Sequence, residues 1–96
     1  MDVNEIEQNA ELAVNLLKAM SNESRLLVIC ALYKGEKCVG DLEELVGLSQ
    51  SALSQHLARL RRDGLVTTRR EAQTIYYSLK NEATRHVLKC LYDIYN

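Results

Sequence analysis

Ser51, Ser54, Gln55, Arg59 and Arg62 recur along residues 49–64, SQSALSQHLARLRRDG, at spacings that gather them on one side of a helix turning about 100° per residue. Gln50 stands second in the same segment. Short hydroxyl and amide groups followed by guanidiniums are equipment for hydrogen bonding to base edges and for pairing with phosphates. Arg69, Arg70 and Gln73 form a second cluster, suited to the phosphate backbone or the minor groove; the alternative for the two arginines is to act as edge-strand charges that discourage pairing between molecules. A different chemistry is open to the three thiols, Cys30, Cys38 and Cys90, which in a reducing compartment either sense or simply pack. His86 and Cys90 are spaced i, i+4 and could share one metal ion, but no set of three or four soft ligands accompanies them, so no metal site is assigned. Catalysis finds no support. There is no His, carboxylate and nucleophile set and no Gly-rich phosphate loop, so neither an enzyme nor a cofactor is expected.

The elements that must position these groups are legible from periodicity. Within residues 49–64, Leu53, Leu57 and Leu60 follow i, i+4, i+7 opposite the polar face, with Ser49 as N-cap and Gly64 just past the end. His56 falls at the boundary of the two faces, where packing is its expected role. The preceding DLEELVGLSQ predicts a short helix carrying Leu42, Leu45 and Val46 and stopped by Gly47, which makes a helix-turn-helix. Upstream, Ile6, Ala10, Ala13, Leu16, Leu17 and Met20 predict one amphipathic helix over residues 4–20, and Ser21 and Asn22 cap a second over 23–34 that reads as a buried central helix containing Cys30. After Gly64 the period shortens towards two. LVTTRR and TIYYSL predict a hairpin joined by Glu71, Ala72 and Gln73, with Tyr76 and Tyr77 on opposite faces. Asn81 caps a last amphipathic helix over 82–95.

With 96 residues, 47% hydrophobic content, no Pro and four Gly, the chain reads as one helix-leaning domain, 1–96, small enough that a partner subunit would add useful core. No apolar run approaches a membrane span and the N-terminus is acidic, so a cytoplasmic protein with no membrane partner is expected. The net charge of −1 conceals a division. Residues 1–48 hold four Lys/Arg against nine Asp/Glu, whereas 49–80 hold six against two. Positive charge therefore accumulates where the polar face and the hairpin lie, the footprint of phosphate binding. The expected architecture is mainly α with a small β-hairpin wing: a winged helix-turn-helix in the order four helices, two strands, one helix. It is expected to be a homodimer through its first and last helices, binding double-stranded DNA at a pseudo-palindromic operator.

The segments LLKAMSNESRLLVICAL, LSQSALSQHLARLRRDGLV and EAQTIYYSL resemble the ArsR/SmtB family of dimeric winged-helix regulators, most closely its HlyU and BigR branch. That resemblance implies control of transcription at promoter DNA, as activator or repressor. It also implies thiol control, because in that branch a cysteine matching Cys30 reacts with reactive sulfur species or oxidants and links to a cysteine near the end of the last helix. The matching end position here is Asn96; Cys90 lies on the same helix six residues earlier, about 240° round it. Three routes stay open: Cys30 with Cys90, Cys30 alone, or no switch. In metal-sensing members a Cys-x-Cys motif occupies the start of the third helix, and here Gly40 stands two residues after Cys38 where its second cysteine would be. The alternatives kept are a metal-responsive repressor and a winged-helix module that binds protein instead of DNA.

Overall fold

The computed structural model describes every residue from Met1 to Asn96. Its elements are α1 (Val3–Glu7), α2 (Ala10–Met20), α3 (Glu23–Tyr33), β1 (Lys37–Cys38), α4 (Val39–Val46), α5 (Gln50–Arg62), β2 (Val66–Glu71), β3 (Thr74–Leu79) and α6 (Glu82–Tyr95). The single helix expected over 4–20 is two helices. Asn9, at φ −119° and ψ 12°, breaks it without any side-chain cap, in keeping with the preference of Asn for helix ends over helix interiors. Only Ala19 and Met20 of this whole region are buried, while Val3, Ile6, Leu12, Val14 and Leu17 are exposed.

The second helix is less buried than its sequence implies. Val28, Ile29 and Leu32 enter the core, but Leu27, Cys30 and Tyr33 face outward, so the expectation of a core Cys30 is corrected. A nearly continuous apolar helix has two apolar faces, and the body of the domain covers one of them. Arg25, 7% exposed, is the unexpected interior group. Its Nε donates to the Ala19 carbonyl (2.7 Å) at the end of α2, and an Nη adds a second bond to the Lys18 carbonyl (3.2 Å), which also accepts from the Ser21 amide.

Leu42, Leu53, Leu57, Leu60, Leu65 and Val66 complete the core around α3. Gly47, at φ 70°, ends α4 in the left-handed conformation that makes the turn into α5 cheap. Ser49 caps α5 by accepting from the Ala52 amide at 3.2 Å. The sheet has three strands, order β1-β3-β2, all antiparallel, where the sequence predicts two. Strand β1 falls in the GEKCVGDL connection, and two residues carry no periodicity to mark it. It pairs Lys37 with Tyr77 and Cys38 with Tyr76. Glu71 pairs with Thr74, so the hairpin closes over Ala72 and Gln73 alone, with Ala72 at φ 55° supplying the turn usually given to Gly or Asn. Tyr77 packs against the core and Tyr76 faces away from it, under Arg69.

One side chain joins the end of α5 to the start of α6. The Asn81 Oδ1 accepts from the Thr84 amide (2.8 Å) and hydroxyl (2.7 Å), and its Nδ2 donates to the Gly64 carbonyl (3.0 Å). The radius of gyration is 14.3 Å, against about 12.5 Å for a compact chain of this length. The longest dimension is 48 Å. With α1 carrying no buried residue and Tyr92, Ile94 and Tyr95 of α6 exposed, apolar surface is left uncovered at the helical ends.

Candidate nucleic-acid interface

Burial of Leu53, Leu57 and Leu60 at no more than 1% exposure fixes the rotation of α5, and that alone decides what its other side presents. Gln50, Ser51, Ser54, Gln55 and Arg62 are exposed on it, Arg59 is half-buried, and His56 is half-buried at the edge as its spacing predicts. Arg59 and Arg62 reach Asp63 through their Nε atoms at 3.4 and 3.5 Å. These are long, exposed pairs that hold little energy and are free to exchange for a phosphate.

On the wing the predicted basic residues differ sharply. Arg70 donates through Nε to the Ala72 carbonyl at 3.2 Å and otherwise projects into solvent beside exposed Gln73. Arg69 has all three nitrogens engaged. Its Nε donates to both Glu36 carboxylate oxygens (3.1 and 2.9 Å), one Nη reaches Glu36 again, and the other donates to Glu71 at 2.9 Å. The guanidinium carbon also lies 4.5 Å from the Tyr76 ring centroid. Hydrogen bonding from Arg69 holds the Glu36 carboxyl below the usual carboxylate range, and the two carboxylates raise the Arg69 pKa in turn. No sequence signal marks Glu36, which lies 33 residues from its partner.

The thiols do not converge. Cys30 lines a 570 Å³ groove between α3 and α6 with Leu27, Tyr33, Tyr92, Tyr95 and Asn96. Cys90 lines a separate depression with His86 and Asp93. The part of α6 that lines this groove is Leu88, Lys89, Leu91, Tyr92 and Tyr95, with Asn96 at its end, so Cys90 lies off that wall. Cys30 and Cys90 are both exposed free thiols, and they line different grooves. Cys38 is half-buried in β1 and joins neither set.

A helix-turn-helix whose second helix shows a hydrogen-bonding face and leads straight into a basic hairpin is a winged helix-turn-helix of the DNA-binding class. The profile described as "Bacterial regulatory protein, arsR family" matches residues 22–68. The transcriptional activator HlyU of Vibrio cholerae is 52% identical over 95 residues, covering 99% of this chain and 88% of the relative. Among solved structures, reduced HlyU from Vibrio cholerae superposes with a TM-score of 0.89 at 52% identity, covering 97% of this chain and 98% of that one. The transcriptional repressor BigR from Xylella fastidiosa gives 0.95 at 38% identity, covering 100% of this chain and 98% of that one. The chain belongs to the ArsR family, and like these relatives it is a DNA-binding transcription regulator and not an enzyme. No helix is long and apolar enough to cross a membrane.

Proposed function

We propose that the chain works as a homodimer that reads a pseudo-palindromic operator with α5 and braces it with the wing, and that the Cys30 thiol tunes this binding. The observation that carries the reading is the exposed row Gln50, Ser51, Ser54 and Gln55 ahead of Arg59 and Arg62, held outward by the buried leucines. Ser51, Ser54 and Gln55 address base edges in the major groove, while Arg59, Arg62 and Arg70 meet phosphates and Gln73 lies at the wing tip. The exposed apolar side chains of α1, α2 and α6 support a twofold dimer, which would set two copies of α5 about 34 Å apart on one face of the duplex. Gel-shift titration of wild type and Gln55→Ala on duplex from upstream of the gene, against random duplex, tests the reading. Gln55→Ala is expected to lose about 1–3 kcal/mol of discrimination while keeping its affinity for random DNA. Full discrimination by the variant would remove Gln55 from base readout.

Thiol control rests on the exposure of Cys30 at the wall of an apolar groove beside the helix ends assigned to the dimer. The related HlyU of Vibrio cholerae is described in a reduced form, which supports a redox-dependent reading of the thiols. The thiolate attacks the terminal sulfur of a polysulfide, the S–S bond breaks, a shortened polysulfide anion leaves, and Cys30 becomes a persulfide inside the groove. DNA affinity is expected to fall on treatment with tetrasulfide, Cys30→Ser to abolish the response, and Cys90→Ser to retain it. Intact-mass measurement after disulfide, tetrasulfide and zinc is decisive. Unmodified Cys30 together with stoichiometric zinc retention would overturn the thiol reading in favour of a metal effector.

A further inference from the structure

Arg69 has the position of a phosphate-binding residue and the surroundings of a brace. It stands on β2, opposite Tyr76 of β3, and Cys38 of β1 stands opposite Tyr76 on the other side. The guanidinium therefore spans the sheet over the Tyr76 ring to meet Glu36, the residue just before β1. Glu36 is the last residue of the link from α3, so this bond ties the wing to the central helix of the body. Three features argue against a free phosphate ligand. Every guanidinium nitrogen is already bonded, one face of the guanidinium is covered by tyrosine, and two carboxylates bring a net negative charge to the cluster. A fork matched to a carboxylate and stacked on an aromatic ring is a use of arginine that lysine does not reproduce.

We propose that Arg69 is a positioning residue for DNA binding: with Glu36, Glu71 and Tyr76 it fixes the pitch of the wing so that Arg70 and Gln73 meet the duplex, and it makes no phosphate contact itself. The proposal rests on the reading of α5 and the wing as the DNA interface. Its sign is what makes it testable. Removing the negative charge of Glu36 from a DNA-facing surface would ordinarily strengthen binding, whereas removing the brace weakens it.

The experiment is fluorescence-anisotropy titration of labelled upstream duplex across 50–200 mM salt, with Glu36→Gln, Arg69→Gln, Arg69→Lys, Glu36→Gln/Arg69→Gln and Arg70→Gln. Glu36→Gln, Arg69→Gln and Arg69→Lys are each expected to lower affinity about 3- to 10-fold, the scale of leaving a binding segment to be ordered on association. The double variant should be no weaker than either single one, because the same device is disabled in each case. Their salt slopes should match wild type, while Arg70→Gln makes the slope shallower by about 0.9 for each phosphate it leaves unneutralised. Since the cluster is exposed, urea midpoints of all five should stay near wild type, which separates a change of pitch from a failure to fold. Glu36→Gln binding as well as or better than wild type, or Arg69→Lys matching wild type while Arg69→Gln weakens both affinity and slope, would overturn the brace and return Arg69 to the phosphate-binding set. Wild type without preference for upstream DNA would overturn the interface reading and the brace with it.

Discussion

Leu57→Ala is expected to destabilise the protein by about 2–5 kcal/mol, the cost of truncating a leucine whose site is unable to collapse. Leu57 is 1% exposed, with Leu53 and Leu60 at 0% on the same stripe of α5, in a core that also takes Leu42 from α4, Leu65 from the link after α5 and Val66 from β2. Domains of this size have about 5–15 kcal/mol in all, so a single truncation takes between about an eighth of the total and the whole of it. Urea denaturation at fixed protein concentration measures it; the concentration is held because dimerisation would add to apparent stability by mass action. Ser54→Ala on the opposite side of the same helix should change the stability by less than about 0.5 kcal/mol. A cost below about 1 kcal/mol for Leu57→Ala, under the range for a buried leucine, would mean that α5 is anchored by something other than its leucine face. The outward aim of Ser51, Ser54 and Gln55 would then need another explanation.

The second large effect is on DNA affinity. Arg59, Arg62 and Arg70 from each protomer would neutralise about six phosphates in a dimer, so log K should fall with log salt at a slope of about −5.4. Between 50 and 200 mM salt that is roughly a thousandfold weakening. Including Arg69 as well would steepen the slope to about −7, so the measurement also bears on the brace. Arg59→Gln/Arg62→Gln/Arg70→Gln should nearly flatten the dependence. Arg59 and Arg62 are held only by the long pairs to Asp63, and Arg70 by one carbonyl, so turning them to DNA costs little. A wild-type slope shallower than about −2 would exclude this assignment of the arginines.

The reading helix is legible in sequence because its signals agree at every level: a capping serine, a leucine stripe, a glycine stop and a polar row on the remaining side. The two tyrosines of β3 are legible from alternation alone, and Tyr77 and Tyr76 do take opposite sides. What escapes is set by partners distant in sequence. Cys30 reads as core because periodicity identifies apolar faces without telling which face the rest of the chain covers. The bond of Arg69 to Glu36 depends on β1, whose two residues are too few to show a period. The break at Asn9 and the left-handed Ala72 lack the Pro or Gly that usually marks such places. Arg25 has the look of an ordinary surface charge until the Ala19 and Lys18 carbonyls at the end of α2 show what it serves.

Asn81 is the one side chain that couples the end of α5 to the start of α6 through both an acceptor and a donor. Its amide uses an acceptor for the first turn of α6 and a donor for the carbonyl at the end of α5, both within reach of an amide carried on a single methylene. Aspartate would keep the first bond and set one oxygen against another in the second; serine is too short to serve both ends, and glutamine is a methylene too long. The joint between reader and terminal helix thus depends on a side chain that both accepts and donates at this reach, and each near relative of asparagine gives up one of its two ends.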